Sequence, residues 1–260
     1  MIMKKFVTIH SFKGGTGKSY LAVNLATIYA LQGKKVCLLD MDFRAPTQHI
    51  VFEPKNVKRW LNDVMNGNAE VEDCLIDCSE KIENKGKLYV GFADFSTEAI
   101  RDMISKGRKW ETEALQRILV MRKDLLEKMN FDVCLADTSP GIQYSSINAV
   151  VAADVAIVVS TLDDSDIYGT TKMINELYEV FQKKVAIVVN KAIGGCEMSD
   201  LEKSNIVNTL QEKYRQAIIG VLPCYCEVGK MKRASIFAYN HPKHPFTEML
   251  RMIAAKVEIL

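Results

Sequence analysis

Three glycines and two lysines crowd into "FKGGTGKS", residues 12–19. The stretch follows an apolar run, "KKFVTIH", and precedes a helical pattern. A loop so placed turns its backbone N–H groups toward one point, and the helix N-terminus adds positive potential. Both favour the oxygens of a phosphate chain. Gly14, Gly15 and Gly17 let the backbone curl closely, with positive φ where the turn requires it. Lys18 then reaches the β- and γ-phosphates, and the Ser19 hydroxyl ligates Mg2+. Gly14, Gly15, Thr16, Gly17, Lys18, Ser19 and Tyr20 are therefore nucleotide-binding candidates. The strict phosphate-loop pattern has glycine at position 12, where this chain has Phe12. The loop is thus a deviant form, and it carries an extra lysine, Lys13.

Acidic residues recur at the ends of two further apolar runs. "LLDMDFRAPT" places Asp40 and Asp42 at the carboxyl end of a strand pattern, where open α/β sheets bind ligands. "FDVCLADTSPG" ends a strand pattern in Asp137 and turns at Pro140 and Gly141. Each aspartate alone suits a helix cap or a turn. Three motifs in this order, each at a strand's carboxyl end, argue against that reading.

The elements that must position these residues are legible as alternating patterns. Seven β-rich runs appear: "KKFVTIH", "KVCLLD", "LYVGFA", "FDVCLAD", "VAIVVS", "KVAIVVN" and "AIIGVLP". Most are near-continuous rather than alternating, as in parallel strands covered on both faces. Helical stripes lie between them. Leu21, Leu25, Ile28, Tyr29 and Leu31 form one that ends at Gly33, and Phe246, Leu250, Ile253 and Val257 form another. These imply a doubly wound α/β domain over residues 1–260, with a mainly parallel sheet of about seven strands and helices on both faces. Residues 53–86 are the least regular and are expected to be short helices and loops.

Composition agrees with one large core: 260 residues, 48% hydrophobic and 25% charged, with no Pro/Gly/Ser-rich linker. A formal charge of +2 makes no case for nucleic acid by itself. No apolar run approaches the roughly 18 residues that span a bilayer, and no secretory signal is read at the N-terminus. The expected compartment is the cytoplasm. Of seven cysteines, Cys37, Cys74, Cys78 and Cys134 lie in or beside apolar segments and are expected to be buried.

The loop "FKGGTGKS" resembles the signature loop of the ParA/MinD family of P-loop ATPases, relatives of the nitrogenase iron protein and the arsenite-pump ATPases. The resemblance runs from Lys4 to the terminal helix and departs at Phe12, in the irregular segment and at "CYC". It implies an ATPase with ATP and Mg2+ as cofactors, slow by itself and stimulated by a protein partner. It implies that Lys13 crosses a two-fold interface to the partner copy's ATP, making an ATP-dependent homodimer. Lys13, Lys18 and Asp42 become the catalytic set, with Asp42 positioning the attacking water. Ser19, Asp40 and Asp137 become the Mg2+ set, the carboxylates acting through water. "AIVVNK" resembles the strand whose asparagine reads the adenine edge, here Asn190. "GVLPCYC" resembles the segment that packs on the base, here at Pro223.

Three functions compete on such a fold. The first is a spatial-positioning or partitioning switch whose cargo is DNA, a protein complex or division machinery. "GKMKRASIFAYNHPKHP", with Lys230, Lys232, Arg233, His241, Lys243 and His244, is its candidate for non-specific DNA or a protein partner, a solvated basic face being the plainer reading. The helix "FTEMLRMIAAKVEIL" is expected to cover the sheet rather than bind a membrane. The second is a maturation ATPase holding a metal or Fe-S cluster on Cys224 and Cys226 of two copies. The third is a bacterial tyrosine-kinase-like phosphotransferase, suggested by "LLDMDFRAP" and opposed by Lys13 and by the scattered tyrosines.

Overall fold

Near-continuous Val, Ile and Leu runs cannot leave either face in water, and here neither face is. The computed structural model describes residues 4–82, 86–193, 198–231 and 234–260. Its strands are β1 (Lys5–His10), β2 (Lys35–Met41), β3 (Leu75–Asp77), β4 (Lys87–Gly91), β5 (Val133–Thr138), β6 (Val155–Ser160), β7 (Lys184–Ala192) and β8 (Ala217–Pro223). They form one sheet in the order β3-β4-β2-β5-β1-β6-β7-β8. All pairs are parallel except β3 with β4. Each expected strand is present. The eighth, β3, lies in the segment read as helices and loops: three partly exposed residues form an antiparallel edge too short to show a pattern.

The helices are α1 (Lys18–Leu31), α2 (Gln48–Phe52), α3 (Leu61–Met65), α4 (Thr97–Ser105), α5 (Arg108–Lys123), α6 (Tyr144–Ala152), α7 (Asp164–Met173), α8 (Asp200–Tyr214), α9 (Cys226–Lys230), α10 (Phe237–Asn240) and α11 (Pro245–Ile259). Single π-turns extend α5 through Lys128 and α7 through Tyr178. Strand side chains alternate between faces. Val7, Ile9, Val36, Leu38, Val133 and Leu135 pack under α1 and α11. Phe6, Cys37, Leu39, Cys134 and Ala136 enter a second core beneath α5 and α6. Each fully buried aliphatic contributes roughly 1.5–3 kcal/mol. α1 is apolar all round, so it is buried from Leu21 to Ala30. Phe246, Leu250, Ile253 and Val257 turn α11 onto the sheet as expected. Among the described residues, no helix is long and apolar enough to cross a membrane.

Cys37, Cys74, Cys78 and Cys134 are buried free thiols. Cys37 and Cys134 are register partners on β2 and β5. Burial, then the neighbouring Cys37, pushes the Cys134 thiol up. Such thiols are packing groups rather than nucleophiles.

Candidate functional site

β1 and β5 run side by side, and β2 follows β5, so their carboxyl ends bring the three motifs together. The loop after β1 enters α1 through Gly15 and Gly17, with φ of 79° and 92°. A Cβ on Gly17 would collide with the Asn190 amide, so glycine is required there for room and for backbone. Gly17 is the N-cap of α1 and supplies no capping side chain. The first-turn N–H groups of a 14-residue helix therefore open onto the loop, the arrangement that favours phosphate.

Lys18, buried, donates to Asp137 Oδ1 at 2.8 Å. Burial by itself would lower this ammonium; the carboxylates of Asp137, Asp42 and Asp40 outweigh it and hold Lys18 above its usual value. Asp40 and Asp137 sit opposite each other on β2 and β5. Asp40 Oδ2 accepts the N–H groups of Thr47 and Gln48 at 3.1 and 3.0 Å. Burial, then the Asp137 charge, pushes the Asp40 carboxyl up to about 8. Asp42 Oδ1 accepts from Ser139 Oγ at 2.6 Å, which joins the β2 motif to the turn after β5.

The cluster fits a hard divalent cation. Asp40, Asp42 and Asp137 are all buried and face one buried ammonium, so the fully ionised cluster is negative in excess. Burial raises the Asp40 carboxyl most, and the Asp137 and Asp42 charges add to it. The donors are all oxygens, which suits Mg2+, and Ser19 lines the neighbouring cavity.

A cavity of about 600 Å3 is lined by Thr47 and Gln48, whose N–H groups bond Asp40 of this cluster. Gly15, Gly17 and Ser19 line its phosphate end, and Leu222, Pro223 and Val228 its apolar end. A pocket of this size with apolar walls and a few polar groups suits a nucleotide. Tyr20 lines the wall, while its hydroxyl is buried without a hydrogen-bond partner among the described residues. Asn190 also lines the cavity, but its Nδ2 donates to the Thr16 carbonyl at 2.7 Å, so this amide braces the loop. Cys224 and Cys226 are exposed, Cys224 at the cavity wall. Among the described residues no three His, Cys, Asp or Glu side chains gather closely enough to hold a metal by themselves, so a cation here would rest on Asp40 and Asp137 through water rather than in a protein-only cage.

Lys13 stands apart from the cluster. It is 43% exposed, pairs with Asp163 Oδ1 at 2.8 Å and bonds the Ser165 hydroxyl. Hydrogen bonds from Lys13, from Ser165 and from the Asp166 N–H hold the Asp163 carboxyl well below the usual range.

Several participants escape sequence reasoning. Gln48 donates Nε2 to Asp137 Oδ2 at 3.0 Å. Lys191 donates to the Gly15 carbonyl at 2.6 Å. Its only signal was its place after Asn190. Asp163, Ser165 and Gln48 carried none, because their roles arise where distant loops return. In the basic stretch, Lys232 and Arg233 lie outside the described residues. His244 is occupied structurally: it caps α11 through Nδ1 and packs edge-on against Tyr225 and Phe237.

The AAA-domain family profile matches residues 4–192. The chain belongs to this family, among the P-loop ATPases of ParA/MinD type. It is 28% identical over 260 residues to an ATP-binding protein of Methanocaldococcus jannaschii, covering 98% of this chain and 88% of that one. It is 28% identical over 192 residues to the septum site-determining protein MinD of Thermotoga maritima, covering 73% and 65%. MinD of Pyrococcus horikoshii complexed with Mg-ADP shares the fold with a TM-score of 0.74 at 21% identity, covering 98% and 96% of the chains. A plasmid partition protein of Borrelia burgdorferi bound to AMPPNP does so with a TM-score of 0.73 at 17% identity, covering 99% and 100%.

Proposed function

We propose that this protein is a cytoplasmic Mg-ATPase whose ATP-bound form is a closed homodimer and whose hydrolysis, stimulated by a protein partner, releases a cargo it positions or partitions. One observation carries the reading: the two lysines of one loop occupy opposite environments. Lys18 is buried against Asp137 and serves the phosphates of its own chain. Lys13 is held at the rim by an exposed pair with Asp163, which exchanges readily for a stronger anion. A triphosphate presented by a second copy is such an anion. Charge stabilisation of the reacting phosphate then depends on pairing, which makes hydrolysis a timer for assembly.

Within each copy, the α1 N-terminus and Lys18 bind the phosphates, while Ser19, Asp40 and Asp137 would hold Mg2+, which supplies charge neutralisation at the phosphate oxygens. Asp42, held through Ser139, orients the attacking water. Light scattering with Mg-ATP against Mg-ADP tests the reading. Doubling of mass with ATP alone, lost in Lys13→Ala, is expected. A chain that stays single with Mg2+ and a non-hydrolysable ATP analogue refutes the switch.

A further inference from the structure

Phe12 stands where the strict pattern has glycine, and it lays its ring against α7. A Cβ built on Gly169 of that helix would overlap the ring. Glycine weakens a helix interior, so at this position its use is the room it leaves. Phe12 also packs with the core beneath α7 and α8. Its neighbours hold the same helix. Lys13 bonds Asp163 and Ser165 at the start of α7. His10 bonds the Tyr178 hydroxyl at the end of its π-turn extension. His10 also bonds the Gly141 carbonyl at 2.9 Å, and the Gly141 N–H donates to the Ser11 carbonyl at 2.9 Å. Residues 10–13 are thus strapped lengthwise to one helix and crosswise to the turn after β5.

We propose that Phe12 is a positioning residue that transmits the state of the phosphate loop to α7, its ring acting as the coupling piece in the Gly169 notch. The inference rests on the nucleotide reading of the cavity. A close-packed contact does not stretch; it shifts as a unit. A loop that tightens around phosphates carries Phe12 with it, and α7 follows. Tyr168, beside the notch in sequence, is 73% exposed, so the shift is displayed at the surface.

Hydrogen exchange of the full chain with and without Mg-ADP tests this without requiring a dimer. In the wild type, Mg-ADP is expected to slow exchange both at the start of α1 and along α7, by at least about threefold. Phe12→Ala should keep the α1 effect and lose the α7 effect. Gly169→Ala, which displaces the ring, should do the same. Phe12→Leu with Gly169→Ala, in which the smaller side chain clears the added methyl, should recover it. Thermal melts check that each variant folds; should Phe12→Ala fail to fold, the Gly169→Ala pair carries the same comparison. Protection absent from α1 in the wild type removes the nucleotide reading, and this inference with it. Protection at α1 but not α7 in the wild type, or α7 protection surviving in Gly169→Ala, overturns the inference alone.

Discussion

Loading the divalent ion is expected to expel a proton from Asp40. Burial and the Asp137 charge hold this carboxyl up to about 8, with Asp42 adding to the effect. At pH 7 about nine-tenths of such groups are protonated, and at pH 9 about one-tenth. A cation beside Asp40 reverses the balance, because opposite charge favours the ionised form. Binding of Mg-ADP at pH 7 should therefore release about 0.9 proton from this site, falling to about 0.5 at pH 8 and about 0.1 at pH 9. Calorimetric titration in buffers of different ionisation heat reads the number directly. Asp40→Asn subtracts whatever the nucleotide and other groups contribute. Stability carries the same linkage. The folded carboxyl is raised above its unfolded value of about 4, so the folded chain binds more protons and loses stability as pH rises from about 4 to 8. The slope approaches about 1.4 kcal/mol per pH unit. Metal-free melts should show the Tm falling across that window, and Asp40→Asn should flatten the fall. Equal proton release by wild type and Asp40→Asn refutes the assignment.

Lys18→Met leaves the buried Asp137 without its cation and should cost about 3–5 kcal/mol, seen in denaturant melts, with Mg-ADP binding lost in calorimetry. Asp42→Ala should slow phosphate release by about a hundredfold or more while scattering shows a long-lived ATP-bound pair; unchanged turnover would remove Asp42 from the reaction. Asp163→Asn keeps a good helix cap and frees Lys13, so the ATP-dependent pairing constant should tighten, by no more than about fivefold for so exposed a contact. Asn190→Ala deletes a brace worth about 1 kcal/mol, so ADP and GDP should weaken together by about fivefold. A loss confined to ADP would instead make Asn190 the reader of the base.

The sheet is legible because burial on both faces writes each parallel strand as an unbroken apolar run, from "KKFVTIH" to "AIIGVLP". The phosphate loop is legible because close backbone approach demands glycine, and few residues substitute for Gly15 or Gly17 at positive φ. β3 is hidden for the converse reason: an edge of three half-covered residues needs no pattern. Asn190 shows how a right position can carry a different contact. Its place at the end of β7 is evident from "AIVVNK", yet whether its amide meets a base or the Thr16 carbonyl depends on how the loop after β1 curls. Gln48, Asp163 and Ser165 are non-local in the same sense. Lys13 and Lys18 make the physical distinction plainest. They share one loop and one chemistry, and propensity or charge cannot separate them. The turn at Gly17 carries Lys18 inward to three carboxylates, while Phe12, seated on Gly169, leaves Lys13 at the rim. One lysine is therefore buried among the carboxylates of its own site, and the other is held at the rim by Asp163 and Ser165.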